Sequence, residues 1–432
     1  MMEPLIVLAI LLMLIAIGAP IFLALGAAGL TGLYMTRGSM AFFFGPTSLF
    51  GQLNAFELLA LPLFVLMGNL LAATPVGRNL FHAAVVWLHW LRGGLAISTV
   101  GASAVFGAVS GVSIAGVAAV GSIAIPEMLN RGYSRALAAG SVVSSGALAM
   151  LIPPSVPLII YGAISSVSIA DLFIAGIVPG IALALALSVY IYIRVLLNPE
   201  EAPVQEDVHY TWGDRVRAIG GIWHSILLIF IVLGAIYSGL ATPSEAAAFG
   251  ALGAYIIAGP IFRSLDLRGL MTVLGTSVRI SAAVLLIMGC ARIFGDYLNL
   301  MRVPDSLAGL LVGSELPTEV ILLMIMLVLV LLGMLVDAVS LIVVVTPILL
   351  PLITGLGYDP LWFGVILVMN LEIAVVTPPV GLNLYTLKAV APMLKIEEII
   401  GSIVPFVMVQ FAMLMLFVLF PALALWLPNL LR

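Results

Sequence analysis

The chain has 432 residues, 63% hydrophobic and 8% charged, with a formal net charge of −4 and a mean hydropathy of +1.28. Soluble domains carry about 25% charged and 45–50% apolar residues, so no aqueous core could hide this much apolar surface, and lipid is the solvent that fits. The small net charge says nothing about nucleic acid, but no basic cluster of the kind that grips phosphates appears, and the single cysteine, Cys290, excludes an intrachain disulfide or a multi-cysteine metal site.

A spanning helix needs about 20 apolar residues, which leaves room for roughly ten to twelve crossings. The first apolar run, residues 5–22, follows Glu3 with no basic stretch and reads as a spanning helix, not a cleaved signal. Residues 5–33, 56–71, 173–197, 222–240 and 406–427 read as ordinary spans. His82 and His89 share one helical face beside Trp87 and Trp90, as in an interfacial aromatic belt. Residues 98–126 differ: they are rich in Gly and Ser, with Ser110-Gly111-Val112-Ser113 near the middle. The polar stretch 198–217, with Glu200, Glu201, Glu206, Asp207 and Asp214, reads as an aqueous linker between two halves. Arg279 and Arg292 lie in apolar surroundings and are expected to snorkel. Residues 319–352 are apolar but hold Asp337, Ser340, Thr346 and Pro347. Like 98–126, this stretch is too long for one ideal span and short for two. Both fit a re-entrant hairpin, two half-helices meeting at a tip inside the protein. Shorter polar joints fall at 74–79, 130–135, 263–268, 301–305, 314–319, 355–359 and 395–398.

The chain repeats itself. Pro126, Gly132-Tyr133 and Pro153-Pro154 recur 225 residues later as Pro351, Gly357-Tyr358 and Pro378-Pro379. Ile177-Val178-Pro179 returns as Ile403-Val404-Pro405 at 226. Both halves run hairpin, Gly-Tyr turn, apolar helix, Pro-Pro break, apolar helix. Broken segments at matched positions of two halves point to a transporter site near the membrane midplane.

Each proline lacks an N–H and displaces the residue before it from helical dihedrals. Ile152-Pro153-Pro154 and Thr377-Pro378-Pro379 therefore break their helices and free carbonyls, which in lipid must find partners. A hard cation can supply one, since it takes oxygen ligands; neighbouring Ser and Thr side chains are the other possibility. Two pseudo-equivalent cation sites follow. One lies between Ser110, Gly111 and Ser113 at the first tip and the break from Gly146 to Pro153-Pro154. The other lies between Asp337 and Ser340 at the second tip and the break from Asn370 to Thr377-Pro378. A serine in such a helix can equally be a small packing residue. Asp337 is the one charge between residues 320 and 350, and intramembrane carboxylates cost about 2.5–3.5 kcal/mol on insertion scales, so they are functional by default. Glu372 is a second such candidate, or else an arginine's partner near a membrane surface, and Glu57 reads as the wet end of a span. No nucleophile elbow, P-loop or zinc helix is present, so neither an enzyme nor an ATP-driven machine is indicated.

These motifs resemble the large membrane subunit of TRAP transporters, the DctM family. The likeness is carried by Leu61-Pro62-Leu63-Phe64 with Met67-Gly68, Arg92-Gly93-Gly94-Leu95, Gly107-Ala108-Val109-Ser110-Gly111, Ile125-Pro126-Glu127-Met128 and Ile152-Pro153-Pro154-Ser155. In the second half it is carried by Thr346-Pro347-Ile348-Leu349-Leu350-Pro351, Phe363-Gly364-Val365 and Thr377-Pro378-Pro379-Val380-Gly381-Leu382-Asn383. Val112 departs from the pattern, where a small polar residue is expected. The resemblance implies an all-α ion-transporter fold with two inverted repeats, each carrying a re-entrant hairpin, and elevator-type alternating access in a bacterial inner membrane. It implies sodium as the coupling ion with no further cofactor. The implied partners are a small four-helix membrane subunit and a periplasmic binding protein that delivers an organic acid. Residues 98–163 and 319–391 would then form the transport domain, with 1–97 and 164–318 as scaffold and 392–432 as a C-terminal helix. The sodium sites fall on the tips and breaks named above, and half-helix N-termini with Ser155, Gly381 and Asn383 would face the anionic substrate. Proton coupling through Asp337 and Glu372 is the alternative.

Overall fold

The computed structural model describes residues 2–203, 210–312 and 316–431. Glu206 and Asp207 of the linker, and Ser314 and Glu315 of the joint at 314–319, lie outside the described residues. Every regular element among those described is helical. Among the described residues six helices are long and apolar enough to cross a membrane, or eight if two bent pairs each count as one span. That is fewer full-length spans than the run lengths suggested, because much of the apolar sequence is cut into helices of 10–17 residues.

The N-terminal run shows how. Residues 5–33, expected as one span, are two helices, Met2–Ala16 and Ile21–Arg37. Gly18 takes a φ of 79° between them, a left-handed value that glycine adopts without a Cβ penalty. Pro20 then starts a new helix, since it cannot donate to the old one. Residues 56–71 likewise become a short 3-10 turn and Ala60–Ala72, bent by 59° from the helical stretch Ile21–Leu53. The polar linker is also more ordered than expected. Its second part is a helix, Trp212–Gly220, opened by a Thr211–Asp214 capping box, and it packs on Val76–Leu88. Its first part is pinned to the first Gly-Tyr turn: Ser134 N–H donates to the Glu201 carbonyl (2.8 Å), and the Glu201 carboxylate takes Arg194 at 2.7 Å.

The repeat is present in three dimensions. The first half runs Gly94–Ser110, Ser113–Asn130, Arg135–Ala147, Val156–Ser165 and Ile169–Leu197. The second runs Thr318–Gly333, Ala338–Gly355, Pro360–Val376, Leu382–Val390 and Ile396–Leu419. The turns between hairpin and broken helix use Gly132 and Gly357, with φ of 77° and 87°. Both Pro-Pro bonds are cis.

The halves interlock. The second hairpin arm of each packs on the distal half-helix of the other: Ser113–Asn130 on Leu382–Val390, and Ala338–Gly355 on Val156–Ser165. The broken helices also meet, where Tyr161 Oη donates to the Pro360 carbonyl (2.7 Å). Gly364 lies under that tyrosine ring, where a Cβ would sit 2.4 Å from Tyr161 Cε1. Around this centre the long helix Leu267–Leu300 packs against Ile21–Arg37, Ala41–Leu53 and Ala338–Gly355. The close approach needs small residues, as between membrane helices generally: a Cβ on Gly29 would lie 2.7 Å from Phe294 N. Large apolar side chains such as Phe230 and Leu240 point outward, 74% and 85% exposed, which suits a lipid environment.

Candidate functional site

Each hairpin tip rests on the break of its own half. At the first tip the chain turns in two residues. Gly111 ends Gly94–Ser110 with φ 64°, and extended Val112 starts Ser113–Asn130. The Gly111 carbonyl accepts the Val156 N–H at 3.4 Å. A Cβ on Gly111 would lie 2.7 Å from the Pro154 carbonyl oxygen, so the contact admits glycine alone. At the second tip Val380 N–H donates to the Met334 carbonyl at 3.2 Å. Asp337 then caps Ala338–Gly355: its carboxylate accepts the Ser340 N–H (3.0 Å) and the Ser340 hydroxyl (2.6 Å).

The expected residues sort into three groups. Ser113 and Asn383 come together across the halves. The Ser113 hydroxyl lies 2.9 Å from Asn383 Oδ1, and Asn383 Nδ2 donates to Ser113 Oγ at 2.7 Å. A second group has its polar atoms engaged locally. Ser155 caps Val156–Ser165 and donates to the Met150 carbonyl, Thr377 donates to the Ile373 carbonyl, and Ser340 is held by Asp337. Gly146, Pro153, Pro378 and Gly381 have no polar side-chain atoms to offer. Gly146 is packed under Val117 of the hairpin, and Gly381 takes φ 48° at the start of Leu382–Val390. The third group is buried with unpartnered oxygen. Ser110 Oγ has no hydrogen-bond partner among the described residues. Asn370 donates through Nδ2 to the Met326 carbonyl (3.0 Å), but its Oδ1 has no partner there either. Buried polar atoms rarely stay unpaired, so these two oxygens are the clearest positions for a ligand.

Two residues stand out from the pattern-based reading. Glu372, expected either in a functional role or beside an arginine at a surface, is 1% exposed, and neither carboxylate oxygen has a partner among the described residues. Ser144 joins the unpaired group, while its neighbour Ser145 donates to Ser103 at 3.0 Å. A run of small serines gave no signal to tell them apart.

A cavity of about 150 Å³ lies where the four segments converge. It is lined by Gly111, Val112 and Ser113 of the first tip, Met150 and Val156 at the first break, Asp337 to Val339 of the second tip, and Leu382 and Asn383 past the second break. No Arg, Lys or His lines it among the described residues. A larger cavity, about 800 Å³, is elsewhere, between Ala41–Leu53 and the turn after Val156–Ser165. Glu57 lines it, as does the Arg292–Asp296 pair (3.0 Å). It touches neither a tip nor a proline break, so it is not where the unpaired oxygens would find a ligand.

The sequence as a whole decides the family. Residues 8–423 match the model of the "Tripartite ATP-independent periplasmic transporter, DctM component". The chain belongs to the DctM family of TRAP transporter permeases. The C4-dicarboxylate TRAP transporter large permease protein DctM of Pseudomonas aeruginosa is 37% identical over 88% of this chain and 88% of its own. The ectoine/5-hydroxyectoine large permease UehC of Ruegeria pomeroyi is 31% identical over 97% of each chain. The isethionate TRAP transporter permease DctMQ of Oleidesulfovibrio alaskensis is 35% identical over 94% of this chain, which spans 64% of that longer protein's length. DctM-family relatives are thus transport permeases rather than enzymes, and their named substrates differ. The fold resembles that of the YdaH transporter of Alcanivorax borkumensis, with a TM-score of 0.65 at 15% identity over 90% of each chain. It also resembles Neisseria gonorrhoeae MtrF, with a TM-score of 0.64.

Proposed function

We propose that this permease is the large membrane subunit of a sodium-coupled system for uptake of an organic carboxylate, and that the cavity between the tips is its central site. The observation that carries the reading is the convergence of both tips and both breaks on one cavity. The charge of its wall supports cation coupling. Asp337 contributes a carboxylate and no basic side chain among the described residues lines the cavity to balance it, so an anionic solute bound there needs cations beside it. Oxygen is what a hard cation takes. The unpaired Ser110 Oγ and Asn370 Oδ1, the carbonyls near the breaks, Ser113, Thr377 and Asp337 are the ligands proposed, with Ser155, Gly381 and Asn383 toward the substrate. Residues 98–163 and 319–391 would move as an elevator-type transport domain of two inverted repeats against a scaffold in a bacterial inner membrane. The family's three-part name supports the remaining partners, a small four-helix membrane subunit and a periplasmic binding protein.

Uptake into liposomes that hold this chain with both partners tests the reading. Candidate organic acids are offered with and without an inward sodium gradient, at equal pH on both sides. Sodium-dependent accumulation that disappears in Asp337→Ala supports it. A second reading, proton coupling, is favoured by the unpartnered carboxylate of Glu372. Uptake indifferent to sodium but driven by a pH gradient would establish that one instead.

A further inference from the structure

The tip cavity is poor in groups that could satisfy a polar solute. Three polar side chains line it, and each already makes a bond within the protein. Ser113 and Asn383 bond each other, and Asp337 is bonded by Ser340. The rest of the wall is hydrocarbon, including Val112, Met150, Ile280 and Val339. Val112 occupies the turn of the first tip, between the glycine that contacts the first break and the serine that contacts Asn383. Its extended backbone, φ −132° and ψ 120°, suits a β-branched side chain. The cavity is small, about 150 Å³.

On the uptake reading above, we propose that this cavity selects a small monocarboxylate with a compact apolar body, against dicarboxylates and polyhydroxylated sugar acids. The carboxylate lies toward Asn383 and the coupling cations, and the body lies against Val112, Val339 and Ile280. A second carboxylate would meet hydrocarbon and Asp337 with no basic side chain to receive it. Each hydroxyl of a sugar acid would lose its water without a replacement partner. Apolar pockets reject a single added hydroxyl by up to about a hundredfold, so a sugar acid with several is expected to be rejected by about that factor.

The test is direct binding, which bypasses the selectivity of a binding protein. The purified permease with its small membrane subunit in lipid nanodiscs is titrated calorimetrically with 3-methyl-2-oxobutanoate, succinate and gluconate. Each titration is run in sodium chloride and in choline chloride. The branched acid is expected to bind about a hundredfold more tightly than gluconate in sodium, and more tightly than succinate. Val112→Thr, close in shape but carrying a hydroxyl, is expected to narrow the gluconate gap about tenfold. Val339→Thr serves the same purpose from the second tip if the first variant misfolds. Gluconate or succinate binding as tightly as the branched acid would overturn the selectivity while leaving carboxylate uptake standing. Failure of the folded wild-type protein to bind any of the three in either salt would overturn both.

Discussion

The two halves share a backbone plan and differ in chemistry. The first tip is a two-residue turn closed by a left-handed glycine against Pro154, and its break is interior: Pro153, Pro154 and Ser155 are all buried. The second tip is longer, has no left-handed residue, and is tied by a carboxylate cap, while Pro379 and Val380 at its break are exposed. The first half thus offers hydroxyls, carbonyls and hydrocarbon in a tight enclosure. The second supplies the charge of half-buried Asp337 and the buried amides of Asn370 and Asn383. A duplicated scaffold can keep its register and still divide its labour, because the prolines and turn glycines fix the backbone whatever the side chains do.

The sharpest way to break this contrast is at the turns. Gly111→Ala forces a left-handed alanine, which costs about 1–2 kcal/mol, and places a methyl 2.7 Å from a carbonyl oxygen. Sodium-driven uptake is expected to fall at least about tenfold. Leu335→Ala at the second tip, where the side chain is 62% exposed, should stay within about twofold. Equal losses in both would show the tips to be equally strict. Next in size is the charge. Asp337→Asn keeps a side chain that caps well and removes the carboxylate, so the sodium concentration for half-maximal uptake should rise about tenfold while the melting temperature holds. A drop in melting temperature with unchanged sodium dependence would make Asp337 a cap alone. Smaller still is the link between the halves. Ser113→Ala leaves Asn383 short of a buried partner, at about 1–3 kcal/mol, and a double-mutant cycle with Asn383→Ala should show coupling of about 0.5–3 kcal/mol in thermal unfolding. Smallest is the exposed Arg135–Glu398 pair (3.3 Å): Arg135→Ala should leave the melting temperature unchanged, as exposed pairs contribute little.

The register of the halves was legible because proline and glycine act locally: Pro153-Pro154 and Gly132-Tyr133 announce their breaks and turns wherever they stand. The two tips fell inside the stretches marked out by their length and by the small or polar residues that interrupt them. Other features were not legible. Hydropathy averaged over a window passes smoothly across Gly18-Ala19-Pro20, so two helices read as one. The sequence repeat pairs equivalent residues, such as Ser145 with Asn370, but is silent on which residues touch. The Ser113–Asn383 contact joins non-equivalent positions and depends on how the halves interlock. Glu372 has no neighbour in sequence that reveals its depth.

That interlocking bears on how the chain is made. Ser113 emerges from the ribosome 270 residues before Asn383, an interval of roughly 15–50 s at ~5–20 residues per second. Through that time the first hairpin has been synthesised but lacks the helix on which its second arm finally rests. Its buried serines must wait in the membrane beside whatever the insertion machinery provides. The halves are therefore a single unit of biogenesis, and a chain stopped after residue 203 would present an unfinished surface to cellular quality control.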